Sequence, residues 1–160
     1  MKNIVLIRHA KSSLEFFSKD FDRDLINKGI TNAGKCANEI HNQINLNAVI
    51  WSSPAIRAYK TARIFMNCWN LKDERIHLID DLYTFDSIKL EQIVKSCPNN
   101  INNLILFGHN SAITDFVNKF GNIFIQNVPT SGLVSINFET DNWKKIKNGN
   151  TIKILFPRAI

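Results

Sequence analysis

The sequence predicts an α/β fold of three layers, α/β/α, whose mostly parallel sheet gains antiparallel strands near its carboxyl end. Three observations carry this. Short apolar runs without polar alternation, Ile4-Val5-Leu6-Ile7, Ala48-Val49-Ile50-Trp51 and Leu104-Ile105-Leu106-Phe107, read as strands buried on both faces. Between them, apolar residues recur at spacings of three and four, as in amphipathic helices that cover a sheet. After Gly132 the pattern turns to alternation and an Asn-Gly pair, which belong to antiparallel pairing. The 160 residues suit one domain spanning 1–160, large enough to bury a core without disulfide or metal support.

The elements follow in order. After the strand at Ile4 to Ile7, the stretch Ser12 to Asp24 lacks a clean period and reads as a loop near the strand end, packed down by Phe16, Phe17 and Phe21. From about Asn27, the residues Ile30, Ala33, Ala37, Ile40 and Ile44 mark one helix face, weakened at Gly29 and Gly34 by about 1 kcal/mol each relative to alanine. The second strand closes at Ser52-Ser53-Pro54, with Ser53 expected as N-cap and Pro54 at the first helical position. The next helix carries Ala58, Ala62, Phe65 and Trp69 on one face and Arg57 in its first turn. Arg75 to Leu78 is a weaker strand, followed by a turn region from Asp80 to Asp86, a short helix from about Ser87 to Ser96, and a break at Pro98-Asn99-Asn100. Gly108-His109-Asn110-Ser111 follows the strand at Leu104 and opens a helix with Ile113, Phe116, Val117 and Phe120 on one face, stopped by Gly121. A turn at Pro129 to Gly132, alternation from Leu133 to Phe138, a hairpin signal at Lys147 to Asn150 and a strand from Thr151 to Phe156 complete the chain.

Composition excludes several classes. Hydrophobic residues at 44% and charged residues at 21% are globular values, and the longest apolar runs are far too short for a membrane span. The amino terminus starts with a strand, not a secretory leader, so the cytoplasm is the expected location. A formal charge of +6 invites nucleic acid, but the 20 basic residues are scattered and only Lys144-Lys145 forms a local pair, so none is expected as a partner. The same charge speeds encounter with acidic or phosphorylated partners. Cys36, Cys68 and Cys97 fit neither a disulfide framework nor a zinc site, and reduced structural thiols are expected.

Function is carried by three strand ends. Each presents a cation or potential cation: Arg8 and His9 after the first, Arg57 after Ser52-Ser53-Pro54, and His109 after Gly108. Open α/β sheets bind ligands at the carboxyl ends of their strands, so these side chains predict an anion site. One histidine or one arginine alone has an ordinary structural explanation; three converging junctions do not. No Gly-x-x-x-x-Gly-Lys-Ser/Thr and no Gly-x-Gly-x-x-Gly is present, which removes the P-loop and dinucleotide sites. Cys97 has no arginine six residues on, as a cysteine-phosphatase loop requires, and Asp80-Asp81 does not form an aspartate-nucleophile motif. His9, His41, His77 and His109 have no metal-ligand spacing.

In this order the motifs resemble the histidine phosphatase superfamily, with the phosphoglycerate-mutase-like fold, and within it the compact SixA-type phosphohistidine phosphatases. The resemblance rests on Leu6-Ile7-Arg8-His9-Ala10-Lys11-Ser12-Ser13, Asp22-Arg23-Asp24-Leu25 with Lys28-Gly29, Ser52-Ser53-Pro54-Ala55-Ile56-Arg57-Ala58 with Thr61-Ala62, Leu82-Tyr83, Gly108-His109-Asn110 and Pro129-Thr130-Ser131-Gly132. Ala10 stands where the superfamily usually has glycine, a variation familiar in this compact branch. The resemblance implies that His9 is the nucleophile of a cofactor-independent phosphatase and that Arg8, Arg57 and His109 hold the phosphoryl oxygens. Ser12 and the backbone near Asn110, at a helix start, are expected to add phosphate contacts.

Larger members of the superfamily also carry an acidic proton donor after the third strand and a lid insertion. This chain has no room for a lid, and Asp86 is the nearest candidate acid, with helix capping as an equal explanation. An imidazole leaves phosphorus as a neutral group, whereas an alkoxide needs a general acid, so weak acid equipment points to phosphohistidine in proteins as substrate. A small phosphate ester is the enzymatic alternative, and a phospho-partner binding module without turnover the alternative of another class.

Overall fold

Alternate residues of the opening strand pack on opposite faces of the sheet, which is why the run Ile4 to Ile7 has no polar positions. The computed structural model describes residues 1–14 and 19–160, so the expected packing of Phe16 and Phe17 lies outside the described residues. The sheet comprises β1 (Lys2–Arg8), β2 (Val49–Ser52), β3 (Ile76–Leu78), β4 (Asn103–Gly108), β5 (Leu133–Phe138) and β6 (Asn150–Leu155), in the spatial order β3-β2-β4-β1-β5-β6. β1 to β4 run parallel, while β5 pairs antiparallel with both β1 and β6. This is the mixed α/β architecture that the sequence predicts, with its antiparallel strands at the carboxyl end.

The helices are α1 (Asn27–Ile40), α2 (Ile56–Cys68), α3 (Ser87–Lys95) and α4 (Ala112–Phe120). Val5 and Ile7 meet α1 and α2 on one face through Ala33, Ala37, Ala62 and Phe65. Ile4 and Leu6 meet α3 and α4 on the other through Leu90, Val94, Ile113 and Phe116. Only residues 79–86, including one 3₁₀ turn at Asp80–Leu82, separate β3 from α3, so no lid is inserted there. Among the described residues no helix is long and apolar enough to cross a membrane. Cys36 and Cys97 are buried, and burial pushes each thiol up to about 11.

Several local expectations change for physical reasons. Ile30 is exposed and Ile44 lies beyond the end of α1, whose buried face instead runs through Gly29, Ala33, Cys36, Ala37 and Ile40. Gly29 is a site of close approach: a Cβ there would overlap the Lys11 backbone, and Ile26 N–H donates to the Lys11 carbonyl at 3.1 Å. α2 begins at Ile56 with Ala55 as its cap, two residues later than Ser53-Pro54 suggested, because the Ser53 hydroxyl oxygen accepts from Ala55 N–H and turns the chain first. Gly121 ends α4 at φ −86°, not in the left-handed region, and a side chain there would collide with Thr151. Asn148 does adopt a left-handed φ of 48°, but a longer connection including a 3₁₀ turn at Trp143–Lys145 links β5 to β6, so Asn148-Gly149 is not a two-residue hairpin.

Candidate active site

The register of the central strands aligns their carboxyl ends. Arg8 pairs opposite Gly108, and Ser52 pairs opposite Phe107, so His9, Ser53 and His109 emerge side by side just beyond the sheet edge. Backbone bonds hold each exit: His9 N–H donates to the Gly108 carbonyl and Ser53 N–H to the Phe107 carbonyl, both at 3.0 Å. The His9 and His109 rings lie 5.3 Å apart. Arg57, in the first turn of α2, reaches back to this edge and is only 1% exposed. Helical side chains lean toward the amino terminus, which makes that reach possible.

The tautomer of His9 follows from its hydrogen bonds. His9 Nδ1–H donates to the Ala10 carbonyl at 2.7 Å, leaving Nε2 without a proton, and Arg57 Nε–H donates to that Nε2 at 3.4 Å. Burial pushes His9 down to about 4; the Ala10 carbonyl opposes this, and the charges of Arg57, Arg8 and Arg23 add to it. His109 falls to about 3 through burial, then through the charges of His9 and Arg57. Its Nε2 lies within hydrogen-bonding distance, 2.8 Å, of Ser53 Oγ, which also accepts from Ala55 N–H. His109 Nδ1 is buried and without a partner among the described residues, as is Arg8 Nε. A buried donor without a partner is costly, and Arg8 Nε here marks a place for an anion.

The structure brings Arg8, His9, Arg57 and His109 together, and most of the remaining sequence candidates lie close by. A pocket of about 270 Å³ is lined by Arg8, His9, Ser12, Arg57 and Asn110, together with Lys11, Leu14, Asp20, Arg23, Phe85 and Thr130. Ser12 Oγ accepts from Arg23 Nη2 at 2.8 Å. The Asn110 side chain has structural work: Oδ1 accepts from Thr114 N–H, and Nδ2 donates to Val128 O, the carbonyl that also holds Arg8 Nη1 at 3.0 Å. Asp86 does not line this pocket. It is exposed and caps α3, accepting from Ile88 N–H at 3.0 Å.

Asp20 is the acid that the sequence reading passed over. Arg57 Nη2 meets its carboxylate at 3.0 Å and Arg57 Nη1 its carbonyl at 2.6 Å, while Arg23 and the Tyr83 hydroxyl also donate to it. Burial works to raise the Asp20 carboxyl, but the hydrogen bonds from Tyr83 and Arg57 and the arginine charges outweigh it and bring it to about 2. Arg23 and Tyr83 stand within the motifs quoted above without a role. Asp20 sits in an aperiodic loop, where only its spacing of three from Arg23 hinted at a pair.

The fold recurs in solved structures. The protein histidine phosphatase SixA complexed with tungstate superposes with a TM-score of 0.82 at 18% identity, covering 98% of each chain. Phosphoserine phosphatase from Entamoeba histolytica, in complex with 3-phosphoglyceric acid, gives 0.65 at 18% identity over 96% of each chain. Mycobacterial glucosyl-3-phosphoglycerate phosphatase gives 0.69 at 13% identity, over 95% of this chain and 97% of the other. Such identities speak for the fold alone. No curated protein sequence matches the chain. The sequence model of the histidine phosphatase superfamily (branch 1), however, matches residues 4–96, the stretch that supplies Arg8, His9 and Arg57, and the chain therefore belongs to that superfamily.

Proposed function

We propose that the protein is a cofactor-independent phosphatase that forms a covalent phosphohistidine on His9 and removes phosphoryl groups from phosphohistidine in proteins. The observation that carries this is the unprotonated, uncharged Nε2 of His9, whose tautomer is fixed by the Nδ1 bond to Ala10 and which accepts a long hydrogen bond from Arg57. Its lone pair attacks phosphorus as the bond to the leaving group breaks and the leaving group takes the electron pair. Water then attacks the phosphoryl-enzyme, releasing inorganic phosphate and restoring His9. Arg8, Arg57 and His109 stabilise the charge that spreads over the phosphoryl oxygens. The Asp20 carbonyl and one of its carboxylate oxygens, both on the Arg57 fork, are the protein's own stand-ins for two of those oxygens.

The choice of leaving group rests on Asp20. As the only carboxylate lining the pocket among the described residues, and with its carboxyl at about 2, it carries no proton to donate near neutral pH. A ring-protonated phosphohistidine needs none, because the imidazole departs neutral. The tungstate complex of the SixA relative supports an oxyanion of this shape in the fold. A phosphomonoesterase for a small metabolite is the second reading, supported by relatives of the same fold that act on phosphoserine and glucosyl-3-phosphoglycerate.

Rapid mixing with ³²P-labelled phosphohistidine protein, followed by quenching, tests the proposal. Label that is stable to base and labile to acid should appear on the wild type and be missing from His9→Ala. Label on serine or cysteine would overturn the mechanism, and faster turnover of sugar or glycerate phosphates than of phosphohistidine would move the substrate to the second reading. Binding without any turnover would make the protein a recognition module.

A further inference from the structure

We infer that a basic groove adjoining the catalytic pocket docks an acidic segment of the phosphorylated protein substrate, the segment flanking its phosphoryl-bearing residue. The inference rests on the function proposed above. The groove encloses about 330 Å³ and is lined by Lys11, Lys28, Asn32, Thr130 and Arg158, with two prolines and no carboxylate. Lys11 and Thr130 line the catalytic pocket as well, so the two spaces share a wall. None of the three cations forms an ion pair with a carboxylate among the described residues, whereas Arg23, Arg57, Lys60 and Arg63 all do.

The groove is built, not a chance meeting of mobile side chains. Gly29 lets α1 lie directly on the Lys11 backbone, and the bond from Ile26 N–H to Lys11 O locks the two together. Arg158 stands on the 3₁₀ turn Pro157–Ala159, which packs against α1. Lys28 is the second residue of α1, where the helix dipole disfavours a cation, and no acidic residue in that turn compensates. A lysine kept at a helix amino terminus works against the helix and in favour of an external anion. Asn32, one turn further along, extends the same face.

The occupant follows from shape and charge. A side chain entering the pocket past Lys11 and Thr130 leaves its neighbouring backbone over the groove, which offers three positive charges within a short span. Nucleic acid would need a longer run of phosphate contacts, and the other basic residues of this chain are scattered. An acidic peptide needs only two or three carboxylates there, and the net charge of +6 favours its approach.

Docking is read as binding, so the test does not depend on turnover. Two peptides carry the same stable phosphonate analogue of phosphohistidine, one flanked by aspartate and glutamate, the other by asparagine and glutamine. Fluorescence anisotropy at low salt should show the wild type binding the acidic peptide about tenfold tighter, the scale of two or three exposed ion pairs. The preference should fade with added salt and shrink several-fold in Lys28→Gln and in Arg158→Gln, while both variants turn over p-nitrophenyl phosphate at the wild-type rate. Equal affinities for the two peptides, or a preference that survives both substitutions, would overturn the docking inference. Failure of the wild type to hydrolyse phosphohistidine protein would overturn the substrate reading instead, and the peptide comparison decides docking in either case.

Discussion

Acid should destabilise this protein through His9 in a window set by its burial. The imidazole sits at about 4 in the fold, against 6.5 for its ordinary value. Between those values the unfolded chain binds a proton that the folded chain refuses, so stability is full above 6.5 and is lost as the pH falls toward 4. Integrating that difference gives about 2 kcal/mol lost by about pH 5 and about 3 kcal/mol by about pH 4. His109, at about 3, titrates over the same range, but each ring feels the other's charge and their losses do not add. Asp20 acts elsewhere: its contribution is present above 3.8 and is lost as the pH falls toward about 2. Urea denaturation followed by tryptophan fluorescence, at about pH 7.5 and about pH 5, isolates the effect when the wild type is compared with His9→Gln. Glutamine still offers a donor to Ala10 O and carries no titrating group. The wild type should lose about 2 kcal/mol more than the variant on acidification. Equal acid losses would mean that His9 is not held neutral, and the argument for a bare attacking nitrogen would fail with it.

Two further outcomes follow from individual side chains. Arg57→Ala should lower turnover of a phosphohistidine peptide by about 10² to 10³, the usual loss for one transition-state donor. Lysine there should recover only part of it, since a point charge cannot replace the fork that now spans the Asp20 carbonyl and carboxylate, and near wild-type activity in the alanine variant would refute the role. Asp86→Ala should cost about 1 kcal/mol of stability through loss of the α3 cap and leave turnover of phosphohistidine unchanged, whereas a loss of about 10²-fold with the fold intact would make it a catalytic acid.

The sequence by itself determined the strands and the positions where chemistry begins. Ile4 to Ile7 and Leu104 to Phe107 are apolar at every position because both sheet faces are covered, and that requirement is written locally in the chain. A polar residue directly after such a run must lie at the sheet edge, so His9 and His109 were legible as site candidates from their neighbours alone. Only the tertiary structure decided what each polar group faces. Ser53 read as a helix cap and instead stands between Ala55 N–H and His109, a partner 56 residues away. Ile30 fitted a helical period but lies outside the buried face, because α1 sits so close to Lys11 that Gly29 takes the inner position. Asp20 had no periodic neighbours at all, and its meeting with Arg57 and Tyr83 arises when three separate segments fold over one strand end. Apolar period and strand length are properties of adjacent residues, so sequence carries them directly. Hydrogen-bond partners and pKa values depend on distances between segments far apart in the chain, and those exist only once the sheet register is set.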